Sequence, residues 1–237
     1  MKLSAPIYRL KRRARILSRT AGIPHHEALD RIAREEGFRA WSLLADQASA
    51  GRPGKRLRSE LRLGDLVIVA ARPGHGKTLL SLEIAVEAMK AGHRSAFFSL
   101  ECNETDLRRY FTAIDESFEQ FADRFDFDDS DDICAAHIVL RLQTAAPGTV
   151  VVIDCLQSLD HRRENAGLMD QVRLLKAFAV ERGLILVFIS QIHRRFDPKL
   201  RAVPALGDIR LPNPLDLGLF DQACFLHGGE VELTAIA

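Results

Sequence analysis

Residues 66–78 read LVIVAARPGHGKT, and this stretch decides the class of fold. Its first six residues are all apolar, which is typical of a strand buried on both faces of a parallel sheet. A loop with Gly74 and Gly76 follows, and an amphipathic helix is predicted from residue 77 onwards. Glycines let the backbone approach an anion closely, and the amides of the loop and of the helix N-terminus point towards it. The sequence therefore predicts a phosphate-binding loop, or P-loop, at residues 71–78.

The side chains of this loop predict a nucleotide site that uses ATP and Mg²⁺. Lys77 supplies positive charge to the terminal phosphates, and the hydroxyl of Thr78 is a ligand for Mg²⁺. Ala71 stands where the motif usually has glycine. The predicted nucleotide contacts come from Arg72, Pro73, Gly74, His75, Gly76, Lys77, Thr78 and Leu79.

Apolar strands alternate with helical patterns through the rest of the chain. Strands are predicted at residues 66–71, 95–100, 150–153, 184–190 and 223–227, with a short terminal strand after Gly228. Helices are predicted at residues 77–91, 104–121 and 169–182. The acidic run at residues 126–132 is expected to cap a helix or face solvent, or to hold a cation. The alternation predicts an α/β fold with a mostly parallel central sheet that is covered on both faces.

Three of these strands end in a polar residue suited to act on a bound nucleotide. Asp154 closes an apolar strand and is a candidate to orient Mg²⁺. Glu101 is a candidate to orient, or to accept a proton from, the water that attacks the γ-phosphate. Gln191 supplies an amide able to sense the γ-phosphate. These side chains are predicted to lie around the P-loop.

The first 60 residues differ from the remainder in charge. They hold 14 Lys/Arg and 6 Asp/Glu, a balance of +8, whereas the remainder holds 19 and 26, a balance of −7. Helical spacing predicts a small helical N-terminal module at residues 1–50, followed by a linker at residues 51–60 and a core domain at residues 61–237. Two interpretations of the basic module stay open: a solvated helix face, or a surface for nucleic acid or a protein partner. The spacing of apolar residues at positions 17–32 also resembles that of a helix-turn-helix, although packing between two helices explains the same spacing.

Composition and segment length indicate the compartment. Hydrophobic residues make up 47% of the chain and charged residues 27%, as in ordinary globular proteins. The longest apolar runs are too short to span a bilayer, and the basic N-terminus lacks the apolar stretch of a secretory signal. A cytoplasmic location is therefore expected. The four cysteines are scattered singly, so neither a zinc site nor a disulfide framework is expected.

Four stretches occur in the order IVAARPGHGKT (residues 68–78), FFSLE (97–101), VVVIDCLQSL (150–159) and FISQIHRR (188–195). With GDIR at residues 207–210 and FDQACFLH at residues 220–227, they resemble the ATPase domain of DnaB-type replicative helicases over about residues 60–230. The resemblance implies a RecA-like domain that hydrolyses ATP with Mg²⁺, binds DNA in single-stranded form and works as a homo-oligomer in DNA replication. By the same resemblance Lys77 and Thr78 match the Walker A pair, Asp154 the Walker B aspartate, Glu101 the catalytic glutamate and Gln191 the sensor.

The resemblance also implies two loops that face DNA, at residues 158–170 and 193–210. The second loop is basic enough to contact nucleic-acid phosphates. Its candidate contacts are Arg194, Arg195, Lys199, Arg201 and Arg210.

The favoured function is a DnaB-helicase-like ATPase that acts on DNA. The alternative is a nucleotide-dependent regulatory or binding protein with weak or no hydrolysis and no unwinding; a small-molecule kinase is disfavoured by Glu101 and Gln191. The family carries basic residues on a late hairpin that reach the neighbouring subunit's γ-phosphate, whereas residues 211–237 contain no Lys or Arg. An arginine finger contributes about 10³-fold or more to hydrolysis. The purified chain is therefore expected to bind Mg-ATP but to hydrolyse it slowly, with little strand separation.

Overall fold

The computed structural model describes residues 4–5, 7–44, 53–162, 164–211, 213–228 and 230–236. The strands within these ranges are β1 (Leu66–Ala71), β2 (Ser95–Ser99), β3 (Phe125–Asp128), β4 (Val150–Asp154), β5 (Ile185–Gln191), β6 (Gln222–His227) and β7 (Glu230–Ala235). They form one sheet in the order β3-β2-β4-β5-β1-β6-β7. Every neighbouring pair is parallel except β6 and β7, which are antiparallel. The predicted α/β fold with a mostly parallel sheet is confirmed.

Helices cover both faces of the sheet. Their bounds are α1 (Ile7–Ala21), α2 (His25–Glu35), α3 (Pro53–Glu60), α4 (Lys77–Lys90), α5 (Glu104–Ala113), α6 (Ala135–Arg141) and α7 (Leu168–Arg182), and short 3-10 turns lie at Phe118–Phe121, Leu156–Asp160, Leu206–Asp208 and Leu217–Leu219. Successive strand residues point to opposite faces. Val67 and Val69 of β1 therefore share a core with α3, α4 and α5, whereas Ile68 and Ala70 share one with α6 and α7. Among the described helices, none combines the length and apolarity needed to cross a membrane.

The N-terminal helices have a small core of their own. Helices α1 and α2 and a helical turn at residues 41–44 enclose it. Its buried residues are Leu10, Ala14, Ala28, Ile32, Ala33 and Leu44, and Phe38 and Trp41 pack against them. Lys11 of helix α1 forms an ion pair with Asp115, which lies just beyond α5. Residues 45–52 lie outside the described ranges, so the boundaries of the N-terminal module stay a prediction.

Residues 53–60, predicted as part of a linker, form helix α3. Pro53 is its first residue, a position where the fixed backbone angle of proline suits a helix. Leu57 is buried in the core shared with α4. The amide of Gly54 donates to the Glu83 carboxylate at 3.2 Å, and a larger residue at position 54 would collide with Glu83. The Gly/Pro/Arg-rich composition therefore masked a helix with one buried apolar position, and the bounds of the linker stay a prediction.

The single helix predicted at residues 104–121 ends at Ala113. Asp115 has a φ of 67°, in the left-handed region, which interrupts the helix. Phe118 and Phe125 then meet Phe111 edge-to-face, with ring centroids 5.4 and 5.3 Å from it. Aromatic packing against the core therefore overrides the helical spacing of the sequence.

Strand β3 is not predicted from the sequence. Its residues alternate Phe and Asp, and Phe125 is buried while the carboxylate of Asp128 accepts a hydrogen bond from Nε2 of His137 at 2.8 Å. Asp126 and Asp128 are strand residues and cap no helix, while the exposed side chain of Asp126 faces solvent, the other outcome expected for this acidic run. Aspartate has a low strand propensity, so the two carboxylates within four residues outweigh the alternation of Phe and Asp in a prediction from sequence.

Candidate nucleotide-binding site

The polar residues at the strand ends converge on one edge of the sheet. In the sheet register Ser99 of β2 lies beside Asp154 of β4, and Ala71 of β1 lies beside Gln191 of β5. The P-loop leaves β1 at the same edge. This is the edge at which open α/β sheets bind their ligands.

The backbone of the P-loop has the conformation that its glycines predict. Gly74 has a φ of 78° and Gly76 a φ of 87°, both in the region that favours glycine. Gly76 is also the N-cap of α4, so the free amides of the first helical turn open onto the loop. Pro73 and Gly74 are exposed. The loop is therefore an accessible cradle for an anion.

Thr78 and Asp154 form an oxygen pair next to this cradle. Oγ1 of Thr78 donates to Oδ2 of Asp154 at 3.2 Å. Lys77 makes no ion pair with any described residue, so its charge is available to a ligand. Mg²⁺ is commonly held by one or two carboxylates together with substrate phosphates and water. The donor set of one hydroxyl and one carboxylate fits that pattern.

Asp154 is a buried carboxylate whose environment disfavours its charge. Its side chain is only 6% exposed. Burial and, to a lesser extent, the nearby negative charge of Glu101 together raise the pKa of Asp154 to about 6, against the opposing effects of the Thr78 hydrogen bond and the Lys77 charge. The ligand-free protein therefore carries an unfavourable negative charge at neutral pH, which a bound cation would neutralise.

Replacing Asp154 with Asn is expected to stabilise the ligand-free protein at neutral pH. The folded pKa of about 6 lies above the ordinary value of 3.8, so stability that is present below pH 4 is lost as the pH rises through 6. At 1.36 kcal/mol per pKa unit, the loss is up to about 3 kcal/mol, and Asn avoids it. Urea unfolding in magnesium-free buffer should give an advantage of about 1–3 kcal/mol for Asp154→Asn at pH 7.5 and little at pH 4.

The exposed Asp131→Asn variant is the matched control, and its stability should follow that of the wild type at both pH values. An Asp154→Asn protein no more stable than the wild type at pH 7.5 would show that Asp154 carries no unfavourable charge.

Glu101 is exposed at the end of β2, and two neighbours orient it. Oγ of Ser99 accepts hydrogen bonds from the amides of Glu101 and Cys102, at 3.0 and 3.2 Å, which turns the chain at the end of the strand. Sγ of Cys155 donates to Oε1 of Glu101 at 3.3 Å. Burial raises the pKa of Cys155 to about 11, so the thiol keeps the proton that it donates. The sequence does not reveal this contact, because a single cysteine carries no pattern.

Gln191 opens onto a basic cavity beside the P-loop. The cavity has a volume of about 460 Å³ and is lined by Pro73, Gln191, Ile192, His193, Arg194, Arg195 and Arg210. Nε2 of Gln157 donates to the Ser190 hydroxyl at 3.0 Å and to the Arg210 carbonyl at 2.8 Å. The 3-10 turn after β4 is thereby tied to the end of β5 and to Arg210. Sequence reasoning missed Gln157, which has no motif signal apart from its place after the strand that ends in Asp154.

The predicted nucleic-acid contacts divide into two groups. The structure brings Arg194, Arg195 and Arg210 together around the cavity. Lys199 and Arg201 are exposed but do not line it, and Arg201 is bound to Asp208 at 2.7 Å. Arginine side chains close to a phosphate cradle make this edge of the sheet suited to polyanions.

Arg72, predicted to contact the nucleotide, turns its side chain away from the cradle. Its Nη2 donates to the carbonyl oxygen of Arg194 at 3.0 Å and to that of Phe196. The rest of the predicted contacts, from Pro73 to Leu79, follow the loop and the first turn of α4.

Comparison with known proteins supports the resemblance found in the motifs. Residues 56–120 match the model of the DnaB-like helicase C-terminal domain. The replicative DNA helicase DnaB of Mycoplasma genitalium is 24% identical over 207 residues, which cover 73% of this chain and 44% of that protein. Other DnaB relatives share similar identity, for example 27% over 185 residues with DnaB of Leifsonia xyli subsp. xyli, of which 40% is covered. The chain thus spans less than half the length of these curated relatives.

Solved structures share the fold. A DnaB-like replicative helicase, described together with its interactions with primase, aligns with a TM-score of 0.62 at 18% identity over 97% of this chain and 71% of the other. A KaiC-like protein of Pyrococcus horikoshii aligns with a TM-score of 0.53 at 19% identity over 75% of this chain and 84% of the other. The resemblance to DnaB-type ATPase domains and the RecA-like fold are confirmed.

Proposed function

We propose that this chain is a DnaB-type ATPase domain that hydrolyses Mg-ATP at the P-loop and binds single-stranded DNA beside it. The observation that carries the proposal is the convergence of Lys77, Thr78, Asp154 and Glu101 at one sheet edge, next to an arginine-lined cavity. The matching family model and the curated helicase relatives support the same function.

The residues at the sheet edge divide the chemistry between them. The loop amides and Lys77 bind the phosphates and offset their charge. Thr78 and Asp154 would hold Mg²⁺, which supplies charge stabilisation at the transferred phosphoryl group. Glu101 orients the attacking water and accepts its proton, while the Cys155 thiol limits the movement of the carboxylate. Gln191 lines the cavity beside Pro73. Its amide senses whether the γ-phosphate is present, and it links that state to the basic loop that follows β5.

The DNA contacts belong to the exposed arginines that follow β5. Arg194, Arg195 and Arg210 lie on one cavity, so a single phosphate backbone can meet all three. Stacking residues are not needed for such contacts, which bind irrespective of base sequence. We further propose a homo-oligomer, in which a neighbouring subunit completes the site, and a protein-binding role for the basic N-terminal helices.

ATP turnover with and without single-stranded DNA tests the function. We expect slow turnover by the isolated chain that rises when an oligothymidylate is added. The stimulation should weaken with salt, because binding to single strands falls with a log–log slope of about −0.7 per phosphate contact. An ATP turnover rate that is the same with and without the oligothymidylate at low salt would contradict the proposal.

A nucleotide-dependent binding or regulatory protein is the second candidate. It is favoured by one observation: residues 211–237, which include the β6–β7 hairpin, contain no Lys or Arg to reach a neighbouring γ-phosphate. In this case Mg-ATP would bind without measurable turnover, with or without DNA. Robust unwinding of a forked duplex by the purified chain would exclude this candidate.

A further inference from the structure

Phe196 is buried within a loop whose neighbouring residues are exposed. Its side chain is 2% exposed, whereas Arg194, Arg195 and Asp197 are exposed on either side. The ring of Phe196 meets the ring of His227, at the end of β6, edge-on with centroids 5.3 Å apart. One apolar side chain therefore fixes the basic loop to the body of the domain.

Two residues of the P-loop are linked to Phe196, one directly and one through His227. The guanidinium carbon of Arg72 lies 5.6 Å from the centre of the Phe196 ring, and its Nη2 binds the carbonyl oxygens of Arg194 and Phe196. The ring of His75 stacks on that of His227, with centroids 5.0 Å apart and planes 16° from parallel. The P-loop thus reaches the anchor by two routes, from Arg72 directly and from His75 through His227.

The contacts leave little freedom for the loop to move independently of the P-loop. Arg72 holds two successive parts of the loop backbone, and its Nε is buried without a hydrogen-bond partner among the described residues. A shift of the loop would break both carbonyl bonds of the half-buried Arg72 side chain, whose Nε is already without a described partner, which is costly. Order in the P-loop therefore implies order in the loop that carries Arg194 and Arg195.

We propose that Phe196 is a positioning residue that makes phosphate binding at the P-loop and polyanion binding at Arg194, Arg195 and Arg210 mutually favourable. The inference rests on the proposed function and assigns to named contacts the coupling between its two ligands. A nucleotide that orders residues 72–76 also orders the anchored loop, so the oligonucleotide that binds second loses less conformational freedom. By linkage, the oligonucleotide strengthens nucleotide binding by the same factor.

The test measures one ratio in three proteins. The affinity of a labelled oligothymidylate is determined by fluorescence anisotropy with and without a saturating non-hydrolysable ATP analogue and Mg²⁺. In the wild type the analogue should tighten binding by about fivefold or more. In Phe196→Leu, which keeps apolar volume but loses the ring contacts, the ratio should fall to about one. His227→Leu breaks the route through His75 and should lower the ratio in part.

The exposed Leu200 lies in the same loop, and Leu200→Ala is the control that should keep the wild-type ratio. Thermal unfolding of each variant verifies that it is folded. A Phe196→Leu protein with the wild-type ratio, or a wild type whose ratio is one although both ligands bind, would overturn the inference and leave the proposed function intact. Failure of the wild type to bind the oligonucleotide at low salt would overturn the proposed function, and the inference with it.

Discussion

Lys77→Ala is expected to weaken Mg-ATP binding by about 10- to 100-fold, because a charge-assisted hydrogen bond contributes roughly 1.5–3 kcal/mol. Lys77 is the first residue of α4 and makes no ion pair with a described residue. Its charge offsets part of the unfavourable charge of Asp154 but forms no ion pair within the described residues, so its loss removes binding energy with little loss of structure. Titration of a fluorescent ATP analogue measures the affinity, and urea unfolding should give a free energy of unfolding close to that of the wild type.

Lys55→Ala is the matched control for this variant. Lys55 is exposed on α3, whose buried face meets α4 through Leu57, and its removal should leave nucleotide affinity unchanged. Equal affinities for Lys77→Ala and the wild type would rule out the P-loop assignment. A Lys77→Ala protein that unfolds more easily would instead reveal a structural role that the described contacts do not include.

Glu101→Gln is expected to slow ATP turnover by about 10²- to 10⁴-fold while Mg-ATP affinity stays near that of the wild type. The substitution keeps the size of the side chain but removes its ability to accept a proton. Cys155 can still donate to the amide oxygen, so the geometry at the end of β2 should persist. Single-turnover hydrolysis separates the chemical step from binding and release.

Glu104→Gln serves as the control because Glu104 is an exposed carboxylate three residues further on, paired with Arg108 on the surface of α5. Its turnover should equal that of the wild type. If turnover in Glu101→Gln is also unchanged, the proton acceptor lies elsewhere and Glu101 merely ends a strand. A second result should accompany loss of the Glu101 charge: the pKa of Asp154 should fall towards its ordinary range, since that charge raises it.

The buried strands of the sheet were predictable to within one or two residues. Strand β1 has the predicted bounds, Leu66–Ala71, because a strand buried on both faces is a continuous apolar run with polar residues at either end. Strand β3 was not predictable in the same way, because at the edge of the sheet one face tolerates the charges of Asp126 and Asp128. The end of α5 at Ala113 depends on aromatic contacts with β3, which local spacing does not encode.

The candidate site shows a similar division. Lys77, Thr78 and Asp154 were predictable as a group because parallel strands bring their carboxyl ends to one edge. The contacts of Cys155, Gln157 and Phe196 were not, since each depends on the path of a loop rather than on a repeating pattern. Arg72 shows where a prediction from the motif fails. Its place in the P-loop suggests a phosphate contact, but its side chain donates a hydrogen bond to the carbonyl oxygen of Arg194 in the neighbouring loop.

Strand β1 lies between β5 and β6, and every one of its residues is at most 1% exposed. In folded proteins the free energy of local opening ranges from near zero at frayed edges to the full stability of the domain at its centre. Edge strands β3 and β7, each with a single neighbour, belong to the first class, and β1 belongs to the second. The P-loop therefore directly follows the strand that is expected to open last. Local opening at the edges of the sheet should leave the residues of the candidate site in place.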